Sequence, residues 1–140
     1  MTHIIKKSYL KHEATMTMLQ AAVNKAEAMG QHQCIVIVDA SGELLGEIRM
    51  DGAKYLSRKS ARAKALTAAS IGGPSTSIPE HVRVNIGLAT DGSITGLPGG
   101  LPIIVDGDLV GGIGVGSGTG EQEIEVATAA LQASGAQTDF

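Results

Sequence analysis

Five of the chain's eleven basic residues, Lys54, Arg58, Lys59, Arg62 and Lys64, fall within eleven consecutive positions. The stretch that carries them, AKYLSRKSARAKALTAAS (53–70), is rich in helix formers, has no internal Gly or Pro, and predicts a long helix. On such a helix Lys54, Arg58 and Arg62 stand at i, i+4 and i+8. They form a ridge of like charge that repels itself unless an anion or nearby acids neutralise it. Carboxylate recognition is the chemistry this ridge suits, because a guanidinium offers a planar fork to a carboxylate. The alternative is a solvated face, or ion pairs to Asp51 and to acids of a neighbouring subunit. Arg49, at the end of the preceding strand, borders the same region. It could instead pair with Asp51 or Asp39, and Asp51 stands where a helix cap is expected.

Acid–base work on a small organic acid would need a proton carrier beside such a clamp. His81 and Glu121 are the candidates for that role, with Arg62 or Arg49 holding the acid. Covalent catalysis has little support, since no G-x-S-x-G elbow is present and Cys34, the one cysteine, lies in a buried-looking strand. The four histidines, His3, His12, His32 and His81, lack the spacing of a structural or catalytic metal site.

The run GVGSGTGEQE (114–123) poses a different question, because glycine-rich turns that open helices often cradle phosphate. Its glycines, counted from Gly112, fall at every second position to Gly120. This completes neither the dinucleotide fingerprint nor the P-loop. Period two belongs to a strand, so Gly112, Gly114 and Gly116 should line one sheet face with no side chains. A helix packed close, a second subunit or a ligand must fill that strip, and Gly116 and Gly118 are candidate ligand contacts. Thr119 and Gln122 match a capping box, while Glu121 and Glu123 put negative charge in the first helical turn. A phosphate would meet occupied donors and two carboxylates there.

These residues need positioning elements. A first helix runs from a cap at Ser8 to about Met29, with Met16, Leu19, Val23, Ala26 and Met29 as its apolar stripe. CIVIVDA (34–40) reads as a buried strand and ELLGEIRM (43–50) as its hairpin partner. After the basic helix, EHVRVNIGLATDGSITGLPGG (80–100) shows little pattern. LPIIV and LVGGIGV, joined by Asp-Gly, form a hairpin. A last helix runs from near Gly120 to about Ala133, with Ile124, Ala127 and Leu131 inward and a frayed tail. Hairpins in place of strand–helix alternation imply an antiparallel sheet with helices packed on it. The 140 residues suit one domain, 1–140, with its core at about 8–133. A net charge of −3 does not suggest a nucleic-acid partner. Neither a signal peptide nor a membrane span is present, which with one cysteine points to the cytoplasm.

The segments VDASGELLGEIRMDGA, SARAKALTAAS, GGLPIIVDGDLVGGIGVGSGTGEQE and VATAAL resemble the GlcG/HbpS family, also found as the C-terminal domain of a corrinoid adenosyltransferase. Glu123 replaces an expected Asp, and Gly116 stands where serine is common. The resemblance implies an α+β, profilin-like fold with a five-stranded antiparallel sheet and helices on both faces. It implies homo-oligomers, from dimers to octamers, and haem binding in some members. His12 and His81 are then the candidate axial haem ligands, and Arg49, Lys54, Arg58 and Arg62 the candidate clamp for haem propionates or another small carboxylate. Scarce aromatics argue against a haem pocket. A small catabolic isomerase, tautomerase or hydratase is the alternative function.

Overall fold

A computed structural model describes residues 2–140. Its elements run α1 (His12–Ala28), β1 (Cys34–Asp39), β2 (Leu44–Arg49), α2 (Leu56–Ile71), α3 (Arg83–Ala89), β3 (Gly100–Val105), β4 (Asp108–Gly116) and α4 (Gly120–Ala133). The strands form one antiparallel sheet in the order β2-β1-β4-β3. Both hairpins expected from the sequence are present. Asp106 and Gly107 take positive φ (52° and 84°), the twist that a two-residue turn between β3 and β4 requires.

The sheet has four strands, not five. The residues before β3 turn into two short 3-10 segments and α3, and then a loop that folds back on itself through Asp91 and Gly92. The outer edge of β3 is met only by single hydrogen bonds. Gly100 N–H donates to Ser75 Oγ at 3.0 Å, and Gln137 N–H donates to the Ile104 carbonyl at 2.9 Å. Those contacts occupy the edge without building a strand. They also anchor the tail, where Ala136 is buried, so it does not fray at this point.

Helices cover both faces. α1 and α4 pack on Ile35, Ile37, Ile103, Ile113 and Val115. On the other face α2 sets Ala61, Ala65 and Ala69 against Cys34, Val36 and Val38. The inward stripe of α1 differs from the expected one. Thr15, Met18, Ala22 and Ala26 are buried, Leu19, Val23 and Met29 are partly buried, and Met16 is 67% exposed. Gly46 of β2 explains the rotation, since a Cβ there would come within 3.0 Å of Leu19 and 3.1 Å of Thr15. The missing side chain lets that side of the helix settle on the sheet. Ser8 does not cap α1 either. Its hydroxyl donates to the Asp108 carboxylate, and Lys11 occupies the cap position with no side-chain bond. In α4 the inward residues are Glu123, Val126, Ala127, Ala130 and Leu131, while Ile124 is 38% exposed.

The capping box of α4 is formed in both directions. Gln122 N–H donates to Thr119 Oγ1 at 3.2 Å, and Thr119 N–H donates to Gln122 Oε1 at 2.9 Å. Thr119→Ala should therefore cost about 1 kcal/mol in chemical denaturation, the usual loss for an N-cap. Among the described residues no helix is long and apolar enough to cross a membrane.

Candidate functional site

The glycine strip is filled by the chain's own helix. A Cβ on Gly114 would overlap the Ala61 carbonyl and lie 2.6 Å from Ala65 N; one on Gly112 would overlap the Ala65 carbonyl. A Cβ on Gly116 would stand 3.1 Å from Ser57, and one on Gly118 would stand 2.9 Å from the Gln33 amide. Close packing of α2 thus replaces the ligand or subunit that these glycines could have admitted. Neither Gly116 nor Gly118 opens onto a binding space. At the same end of the sheet Ser117, at φ 79°, accepts from Lys54 N–H at 3.0 Å and donates to Ser57 Oγ at 2.6 Å.

The basic run divides four ways. α2 begins at Leu56, so Lys54 lies ahead of it and the ridge contains only Arg58 and Arg62. Arg58 is spent on Glu47 of β2 at 3.1 Å. Arg49 is exposed at the end of β2 and pairs with neither Asp39 nor Asp51. The Asp39 carboxylate instead accepts from Ser41 and Glu43 N–H, and the Asp51 carbonyl accepts from His32 Nδ1. Asp51 also does not cap α2, whose cap position is Tyr55.

Lys64 turns inward. It is 4% exposed, and its ammonium donates to the Val115 carbonyl at 2.8 Å and to Glu123 Oε2 at 3.0 Å. Glu123 is equally buried, so a closed ion pair ties α2 to α4 around the end of the sheet. Burial pushes the Glu123 carboxyl above its ordinary range, and Lys64 and the Gly118 N–H pull it partly back. Within the basic run Lys64 looks like one more surface charge. Its place one turn before Ala68 on the alanine-rich side is the signal that it points in. The Cys34 thiol is raised by burial, against the opposing pull of Arg49 and Arg58, which keeps it protonated and inert.

Open space lies on the outer side of α2. Between α3 and residues 91–98 is a cavity of about 680 Å³, walled by Val84, Leu88, Ile94, Leu97 and Pro98. A depression of about 280 Å³ along Leu56, Lys59, Thr95 and Leu97 continues it. A groove of about 230 Å³ follows, with Lys59 and Arg62 on one side and Asp91 and Ser93 on the other. Shared lining at Gly92, Leu97 and Lys59 makes these one furrow. Val84, Leu88, Leu97 and Leu56 are each more than half exposed along it. Among the described residues Lys59 and Arg62 make no ion pair, whereas Arg83 donates to the Ile78 and Thr76 carbonyls at 2.9 and 3.0 Å. Arg83 therefore braces the furrow, while Lys59 and Arg62 stand along it with no ion pair or side-chain hydrogen bond among the described residues.

Of the four residues suited by type to acid–base work, only Arg62 lines this furrow. His81 is exposed on the 3-10 turn before α3, Glu121 lies on α4, and Arg49 ends β2. The structure does not assemble them into a catalytic group. His12, 85% exposed at the start of α1, is on the opposite side of the sheet from α2. No cluster of three His, Cys, Asp or Glu occurs among the described residues. Lys59, named from the sequence only as a member of the basic run, and α3 with the loop after it were not among the candidate ligand contacts, yet they line this furrow.

Residues 10–132 match the model of a family described as haem degrading protein HbpS-like. Protein GlcG of Escherichia coli strain K12 is 33% identical over 112 residues, 78% of this chain and 82% of that one. Among solved structures, Klebsiella pneumoniae protein ORFY superposes with a TM-score of 0.91 at 27% identity, over 98% of each chain. PduOC, crystallised as a haem complex, superposes with a TM-score of 0.87 at 26% identity, over 95% of this chain and all of that one.

Proposed function

We propose a haem-type tetrapyrrole carboxylate as the ligand of this chain, which belongs to the family described as haem degrading protein HbpS-like. The observation that carries this reading is the furrow's division into an apolar trough and a rim with two unpaired cations. A haem-type molecule has the same division, with a flat apolar ring and two propionates along one edge. The cavity of about 680 Å³ falls within the ~300–1,000 Å³ usual for small-molecule sites. The ring is read as lying along Val84, Leu88 and Leu97, with the propionates meeting Arg62 and Lys59. The solved haem complex of the relative PduOC supports the ligand class.

The fit is to the ring and the carboxylates. Bound haem would supply a redox-active iron, but neither His12 nor His81 stands in the furrow to ligate it, so no step is assigned to the metal. Binding is favoured over turnover because His81 and Glu121, the proton carriers suggested by residue type, lie outside the furrow, whose one acidic side chain is Asp91. Assembly of like copies is part of the reading, supported by the free edge of β2, where Leu44, Leu45 and Ile48 are each about 40% exposed.

Haemin titration followed by absorbance tests the proposal. Arg62→Ala and Lys59→Ala should each weaken binding about tenfold, the lower end for a charge-assisted hydrogen bond at an exposed rim, with melting temperature unchanged. A double variant that binds haemin as tightly as the parent chain would refute the site. Thermal stabilisation by a small dicarboxylate, abolished by Arg62→Ala and without any response to haemin, would favour an organic acid in the smaller groove.

A further inference from the structure

Resting on that reading, we infer that the furrow recognises the ring and carboxylates of a tetrapyrrole and not its metal. Iron-free porphyrin is then as good a ligand as haemin. Proteins hold haem iron through imidazole, thiolate, thioether or phenolate groups. No side chain of those types lines the furrow. His12 is across the sheet, and His32 is engaged with the Asp51 carbonyl at the sheet end. Cys34 is buried beneath α2. Tyr55 and His81 stand just outside, one before Leu56 and one on the turn that leads into α3. The oxygen groups that do line the furrow include the Asp91 carboxylate and the Thr95 hydroxyl, and the latter already accepts from Leu97 N–H at 3.2 Å.

What the furrow offers is therefore apolar surface and positive charge. Burying a flat ring against Val84, Leu88 and Leu97 removes apolar area from water whether or not a metal sits at the ring's centre. Arg62 and Lys59 meet carboxylates at the ring's edge, remote from that centre. Asp91, on the opposite wall, is the one acidic side chain of that groove.

The test titrates the full chain with haemin, zinc protoporphyrin, metal-free protoporphyrin and the dimethyl ester of the last. The first three should bind with dissociation constants within about threefold of one another, and the diester at least about tenfold more weakly. His12→Ala, His81→Ala and Tyr55→Phe should leave the Soret position and the affinity for haemin no worse than in the parent chain. A preference for haemin of tenfold or more over the metal-free ring, or loss of the haemin spectrum in any of those variants, overturns the inference while the haem-binding reading stands. If none of the tetrapyrroles binds, the reading and the inference fall together.

Discussion

Gly114→Val is expected to give no cooperatively folded protein, and Gly114→Ala to lose more than about 3 kcal/mol, beyond the usual 1–3 kcal/mol of an overpacked core. The added Cβ meets backbone, not a yielding side chain. The Ala61 carbonyl and Ala65 N lie in its path, and moving either means lifting α2 from the sheet. Lifting α2 also separates Ala61, Ala65 and Ala69 from Cys34, Val36 and Val38. Gly52→Ala is the control. Gly52 has φ 79°, but no atom lies within 4 Å of the point where its Cβ would stand, so its cost is conformational alone, about 1 kcal/mol. Urea denaturation of the two alanine variants separates the effects. Equal losses would show that the helix does not rest on the glycine strip.

Lys64→Met should cost about 3–5 kcal/mol near neutral pH, because it leaves the Glu123 carboxylate buried without its partner. Lys64→Met with Glu123→Leu should recover most of that loss, since the pair also bears two desolvation penalties. The pH dependence has a definite sign. A carboxyl whose affinity for a proton is raised by folding makes the native state bind more protons between its unfolded and folded titrations. Stability therefore falls as pH rises through that interval and is level above it. Lys64 is the larger of the two influences that lower the Glu123 carboxyl, so its removal extends the interval upward. The single variant should be least stable relative to the parent at pH 8 and recover part of the difference by pH 5. A loss of the same size at both values would mean that Glu123 charge is not the cause.

Much of the scaffold could be read from residue types alone. Asp106-Gly107 specified a hairpin, Thr119 and Gln122 a helix start, and the period-two glycines a bare strip on a strand. The outcome of that strip depended on what approached it, and α2, with alanines at i, i+4 and i+8, was small enough to fill it. The phase of α1 could not be judged from its own sequence, because Gly46 on another element decided which side sits lower. The burial of Lys64 escaped notice because a lysine in a basic run looks solvated, and its partner lies 59 positions away. The furrow was hidden for a related reason. Its walls come from a seven-residue helix and from a loop turned by Asp91 and Gly92, too short for any periodicity to register. Only the Arg62 side was visible in advance.

The position of the ligand is measured most directly by amide line-broadening from paramagnetic haemin in a nitrogen-labelled sample. Signals of Arg62, Leu88, Gly92 and Leu97 are predicted to broaden first as haemin is added, while those at the start of α1 persist. Broadening centred on His12 and Met16, with the furrow unaffected, would contradict a haem site on the outer side of α2.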